Sequence, residues 1–126
     1  MKLLLISNST NAGEAYLQYP IAQIASFLQG VKEIAFVPYA AVTFSYAEYE
    51  AKVQARFDEI GIKVRSVHRA KDPRKMILQA EAICVGGGNT FALTKKMQEQ
   101  GLIQAIRRKI SAGTPYVGWS AGSNVT

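Results

Sequence analysis

The chain has 126 residues, of which 48% are hydrophobic and 19% charged, with a formal net charge of +6; that suffices for one domain around a single core and excludes a disordered chain. The single cysteine excludes an internal disulfide and fits a reducing compartment, so the cytoplasm is the expected location. The positive charge does not imply nucleic acid: Arg107, Arg108 and Lys109, with Lys95 and Lys96 before them, share segments with apolar Leu102, Ile103, Ile106 and Ile110. That is the pattern of a solvated helix face, and no zinc or helix-turn-helix signature accompanies it.

Residues 2–6 form the first short apolar run, a strand, and the polar residues 7–10 interrupt it before a signal-peptide core or membrane span could form. Leu17, Ile21, Ile24 and Leu28 follow at helical spacing. Pro20 lies inside that pattern, so the helix should start or kink there and leave 14–19 as a separate turn. Residues 33–37 are a second strand, and Tyr49, Val53, Phe57 and Ile60 mark a second helix. A third strand spans 62–67, and Asp72-Pro73 then places a capping residue before a proline suited to the first helical turn. The fourth strand, 82–85, contains Cys84, expected to be buried and inert. Gly101 and Gly113 sit where the next helices should stop, before a fifth strand at 115–118.

Strand and helix alternate throughout, which predicts a three-layer α/β/α fold with a mostly parallel, flavodoxin-like sheet. In such sheets ligands bind beyond the carboxyl ends of the strands. Those ends carry residues 7–10, then Pro38-Tyr39-Ala40, His68-Arg69, Gly86-Gly87-Gly88-Asn89-Thr90 and Trp119-Ser120-Ala121-Gly122.

Ser120 stands between Gly118 and Gly122 after a β-branched strand, the arrangement of a nucleophile elbow, where a sharp strand-to-helix turn leaves no room for flanking Cβ atoms. The competing reading is a serine that merely caps a helix. The triple glycine at 86–88 has three possible uses. As a phosphate loop it lacks the Gly-Lys-Ser/Thr ending and carries Phe91 where a dinucleotide fingerprint needs a third glycine. As a plain turn it would have no chemistry. As an oxyanion hole, the N–H of Gly88 and that of Ala121 would face the oxygen of a tetrahedral intermediate, which accounts for both glycine clusters together. Asn89 and Thr90 then become candidates for substrate binding.

A serine nucleophile needs a base. The one histidine, His68, closes the third strand at the same rim, yet no carboxylate stands out as its partner, and a structural role suits it better. No metal and no cofactor are expected. After an elbow a helix normally packs back over the sheet, and only residues 121–126 follow here. One face of strand 115–118 should therefore expose apolar surface unless further polypeptide, a second chain or self-association covers it. On this reading residues 1–126 are the N-terminal portion of a single α/β hydrolytic domain, incomplete at its C-terminal side.

LLLISNST at 3–10, FVPYA at 36–40, HRAKDP at 68–73, VGGGNTF at 85–91 and VGWSAGSN at 117–124 together resemble the peptidase E (aspartyl dipeptidase) family of serine peptidases, within the class I glutamine-amidotransferase-like α/β fold. The resemblance implies hydrolysis of dipeptides with N-terminal aspartate through an acyl-enzyme, with Ser120 as nucleophile and Gly88 and Ala121 in the oxyanion hole. It also implies that the catalytic histidine, its acidic partner and the residue recognising the substrate aspartate lie beyond Thr126, so that this chain is a truncated, inactive form, with His68 matching a position without catalytic role. Two alternatives stay open: a cyanophycinase-like peptidase acting on a polymer, and a noncatalytic anion-binding α/β domain. The expected partner is a small Asp-X peptide, with neither nucleic acid nor membrane.

Overall fold

In the computed structural model the described residues are 2–6, 20–119 and 122. Five strands, β1 (Leu3–Ile6), β2 (Glu33–Val37), β3 (Lys63–Ser66), β4 (Ile83–Val85) and β5 (Tyr116–Trp119), make one sheet in the order β1-β5-β4-β2-β3. Every pairing is parallel. The helices are α1 (Ile21–Phe27), α2 (Tyr46–Phe57), α3 (Pro73–Leu78), α4 (Thr90–Glu99) and α5 (Leu102–Ser111).

Alternation along the strands sorts the core into two layers, because successive side chains leave opposite faces of a sheet. Ala35, Val37, Ile83, Val85 and Tyr116 face α3, α4 and α5, packing on Ile77, Leu93, Met97, Leu102, Ile106 and Ile110. Ile34, Phe36, Cys84, Val117 and Trp119 face α1 and α2, packing on Ile24, Tyr49, Val53 and Phe57. The fold is thus a parallel three-layer α/β/α sandwich, as the alternation of elements predicts. Arg107 and Arg108 lie on the exposed side of α5, opposite buried Leu102, Ile106 and Ile110, the solvated face expected of them.

Local signals fix the helix starts. Ser45 accepts from the Glu48 amide while the Glu48 carboxylate accepts from the Ser45 amide, a capping box that opens α2. Asp72 caps α3 by accepting from Lys75 N at 3.1 Å, with Pro73 in the first turn. Helix α1 begins directly after Pro20, and the turn expected at 14–19 lies outside the described residues.

Two expectations are corrected. The third strand stops at Ser66, and Val67–Arg69 form a 3-10 turn closed by Ala70 N on Val67 O, so His68 sits past the strand rather than on its end. The fifth strand does not expose a face: Tyr116, Val117 and Trp119 are all fully buried, because Tyr116 packs into the α3–α5 layer and Val117 and Trp119 into the α1/α2 layer. The exposed apolar surface falls one strand further out, on Leu3 and Leu5 of the edge strand β1. Their side chains leave the sheet on the side opposite Leu4 and Ile6, which pack into the α1/α2 layer.

Candidate functional site

β2 and β4 are neighbours whose chains depart to opposite layers, β2 towards α2 and β4 towards α4 and α5. That divergence opens a crevice beyond their carboxyl ends, where ligands of open parallel sheets bind. β5 adjoins β4 on the other side, in register with Val85 opposite Gly118. The glycine run after β4 and the segment after β5 therefore leave adjacent strand ends at the same level.

Gly88 has φ +141°, a conformation that side-chain-bearing residues rarely adopt, and a Cβ there would lie 2.4 Å from the carbonyl oxygen of Ala40. Ala40 O in turn accepts from Asn89 N at 2.9 Å, and Gly86 N donates to Val37 O at 3.1 Å. The loop is thus drawn down onto the segment after β2. Among the described residues the N–H of Gly88 has no hydrogen-bond partner, although the loop around it is tightly held. At Gly86 a Cβ would meet the hydroxyl of Tyr49 at 2.5 Å.

Gly118 and Gly122 are required by close approach of backbone. A Cβ on Gly122 would stand 2.1 Å from Val85 O, and one on Gly118 would stand 2.6 Å from Gly122 O. Gly122 O also accepts the hydroxyl of Tyr116 at 2.7 Å. Gly122 thus lies against the ends of β4 and β5. Ser120 and Ala121, the expected nucleophile and oxyanion-hole residue, lie outside the described residues, as do residues 7–10 after β1.

Asn89 caps α4, its side-chain oxygen accepting from Ala92 N at 2.8 Å, while Thr90 begins the helix exposed beside it. The Asn89 oxygen already serves the fold, and its amide NH2 supplies the donors that could meet a substrate. Exposed Phe91 follows them on the first turn.

His68 is separated from this centre by the topology. Its 3-10 turn follows β3, three strands from β5 across the order β5-β4-β2-β3, or about 14 Å at roughly 4.8 Å per strand. Its Nδ1 pairs with the hydroxyl of buried Ser66, and its ring packs against Tyr46 at 5.7 Å. Partial burial holds the imidazole pKa below 6.5, aided by the charge of Arg69 and opposed by that of Glu50. Glu50 itself accepts from Ser66 N at 2.8 Å and Arg69 Nε at 2.6 Å. Burial alone would raise its carboxyl pKa, but these two donors outweigh burial and leave it lowered. The cluster clamps the turn after β3 to α2.

Sequence reasoning missed Tyr49. Its apolar spacing in α2 reads as core, and it is core, but its hydroxyl donates to Gly87 O at 3.0 Å and accepts from Trp119 Nε1 at 3.2 Å. One signal pointed there: a glycine at 86 leaves space that some neighbouring group must fill. Cys84 is fully buried, and burial pushes its thiol pKa far up, consistent with a packing role.

A cleft of about 580 Å³ opens elsewhere, near the amino ends of β2 and β4 between Glu33, Arg65, Asp72, Lys75 and Glu81. Its mixed charges select no obvious ligand. No group of three or more His, Cys, Asp or Glu suited to a metal occurs among the described residues, and no helix there is long and apolar enough to cross a membrane.

Comparison with known proteins agrees with the fold and the motifs. The chain is 51% identical over 125 residues to a Peptidase E of Nostoc, matching 98% of this chain and 52% of that protein. It is 47% identical over 125 residues to a Peptidase E of Haemophilus influenzae, matching 98% of this chain and 57% of the relative. A solved structure of a peptidase from an acI-B1 Actinobacterium superposes with a TM-score of 0.72 over 95% of this chain and 54% of that one, at 20% identity, which bears on the fold alone. The chain thus spans about half the length of the relatives it matches. Residues 3–126 match the family described as Peptidase family S51, and the chain belongs to that family.

Proposed function

We propose that the protein is a serine-type dipeptidase acting on dipeptides with N-terminal aspartate, and that residues 1–126 supply its nucleophile and oxyanion hole. The observation that carries this is the convergence of two glycine-dependent close approaches on adjacent strand ends: the loop after β4, where the N–H of Gly88 has no partner among the described residues, and Gly122 set against Val85. Family membership and the Peptidase E relatives support the same chemistry.

In this mechanism the Ser120 hydroxyl oxygen attacks the aspartyl carbonyl carbon while a base takes its proton. The carbonyl oxygen becomes an oxyanion bonded by the N–H groups of Gly88 and Ala121. Collapse breaks the C–N bond, the amine leaves with that proton, and water then cleaves the aspartyl ester and restores the serine. The base is not His68, for the topological reason given above, and comes from residues outside 1–126.

The test uses the full-length protein on Asp-Leu and Leu-Leu. Strong preference for Asp-Leu, abolished by Ser120→Ala, is expected. Equal rates on the two peptides, or undiminished turnover by Ser120→Ala, would overturn the proposal.

A further inference from the structure

The hydroxyl of Tyr49 touches both segments on which the proposed chemistry depends. The residue is only 2% exposed, and Phe36 and Phe44 meet its ring edge-on, with centroids 5.0 and 5.2 Å away. Its hydroxyl donates its one hydrogen to Gly87 O and accepts the indole N–H of Trp119. Trp119 immediately precedes Ser120, and the carbonyl of Gly87 belongs to the same peptide unit as the N–H of Gly88.

In a trans peptide unit the C=O and N–H point in opposite directions. Holding the Gly87 carbonyl towards α2 therefore turns the Gly88 N–H away from α2. Glycine on both sides of that unit restrains its plane only weakly, so the orientation depends on an external contact. The hydroxyl supplies one, and its own position is fixed by a rigid aromatic packing. Indole, hydroxyl and carbonyl also form a hydrogen-bond chain running in one direction, which polarises the peptide and strengthens the N–H at its far end.

We infer that Tyr49 is a positioning residue for catalysis: held by Trp119, its hydroxyl sets the plane of the Gly87–Gly88 peptide and so aims and strengthens the Gly88 N–H as an oxyanion donor. The inference rests on the reading of Ser120 and Gly88 given above. In this role Tyr49 acts through the loop.

The test is Tyr49→Phe in the full-length protein, which removes one oxygen and keeps the ring. Turnover of Asp-Leu should fall about tenfold or more in kcat with KM changed less than about twofold, since only transition-state contact is lost. Affinity for an aspartyl boronate, whose tetrahedral adduct puts oxygen in the oxyanion position, should fall in parallel. Val53→Ala, one turn further along α2 in the same core layer, loosens the seat of that helix but leaves both hydrogen bonds and the aromatic packing, and should keep kcat. Wild-type kcat in Tyr49→Phe would overturn the inference; so would equal losses in both variants, which would report general loosening. Should Tyr49→Phe not fold, a more acidic fluorinated tyrosine at position 49 replaces it. The altered donor strength should change kcat for Asp-Leu while leaving KM within about twofold, and a kcat equal to that of wild type would overturn the inference. Ser120→Ala separates the two levels: activity surviving in it sinks the serine mechanism, whereas activity lost there but intact in Tyr49→Phe sinks only the role of Tyr49.

Discussion

The backbone N–H of Asn89 donates to the carbonyl of Ala40 at 2.9 Å, tying the glycine loop after β4 to the segment after β2. The same oxygen would lie 2.4 Å from a Cβ on Gly88, whose φ is +141°. Gly88→Ala therefore combines backbone strain with a clash against main chain that cannot rotate aside. It is expected to destabilise the protein by about 2–4 kcal/mol, measured by urea denaturation. A loss below about 1 kcal/mol would mean that the loop relaxes freely and holds no fixed donor.

A second contact of the same kind holds Gly122 against β4. Gly122→Ala drives a Cβ to 2.1 Å from Val85 O, again main chain, so a loss of about 3 kcal/mol or more is expected. Tyr116→Phe leaves buried Gly122 O without its 2.7 Å donor and should cost about 1–3 kcal/mol. Both changes act on one contact, so the double variant should fall short of the sum of the singles.

The sequence displayed the sheet and the glycines but not what the glycines face. Alternating runs placed all five strands within a residue or two, because strands buried on both faces must be nearly continuous in Val, Ile and Leu. Gly118 and Gly122 announced a close approach, and the atoms concerned belong to Val85 and Gly122 itself. The rim that His68 and the segment after β5 share in the sequence hides their separation, three places along the sheet, since strand order is set by crossovers whose span local pattern does not encode. The periodicity of α2 hides the second role of Tyr49 for another reason: a residue that fills the core and also uses its polar tip carries the same periodic signal as one that only fills it.

Asn89 allows its two proposed roles to be separated. Asn89→Ala removes the acceptor for Ala92 N and should cost about 1 kcal/mol in stability. Asn89→Asp keeps the capping oxygen and places negative charge at the start of α4, so stability should be retained or slightly increased. Only the NH2 group is lost there. If it binds an acidic substrate, Asn89→Asp should raise KM for Asp-Leu in the full-length protein without lowering the unfolding midpoint. An unchanged KM would confine Asn89 to capping.

The clamp after β3 predicts a two-stage loss of stability in acid. His68 has its folded pKa lowered below 6.5, mainly by burial, so the stability it contributes is complete above 6.5 and is lost as pH falls through the folded value. Glu50 is also lowered, from 4.5, with burial outweighed by the Arg69 and Ser66 donors; its contribution is complete above 4.5 and is lost lower down. Urea midpoints followed across the acid range should therefore decline first below 6.5 and again below 4.5. His68→Gln should flatten the first decline and Glu50→Gln the second. A His68→Gln profile superimposable on wild type would place the titration on another group.

His68 also offers the sharpest separation of the serine mechanism from a self-contained one. A base must reach the serine hydroxyl within about 3 Å, whereas His68 follows a strand three places from β5 and gives its Nδ1 to Ser66. His68→Gln in the full-length protein should thus keep kcat for Asp-Leu within about twofold of wild type, apart from the acid stability loss just described. Residues 1–126 alone contain no other histidine, and a serine without a base loses most of its nucleophilic rate. Such a preparation should hydrolyse Asp-Leu at least about 1,000-fold more slowly than the full-length protein. Rapid turnover by residues 1–126, abolished by His68→Gln, would show that the turn after β3 moves across the sheet to reach Ser120, and the assignment of the base elsewhere would fall.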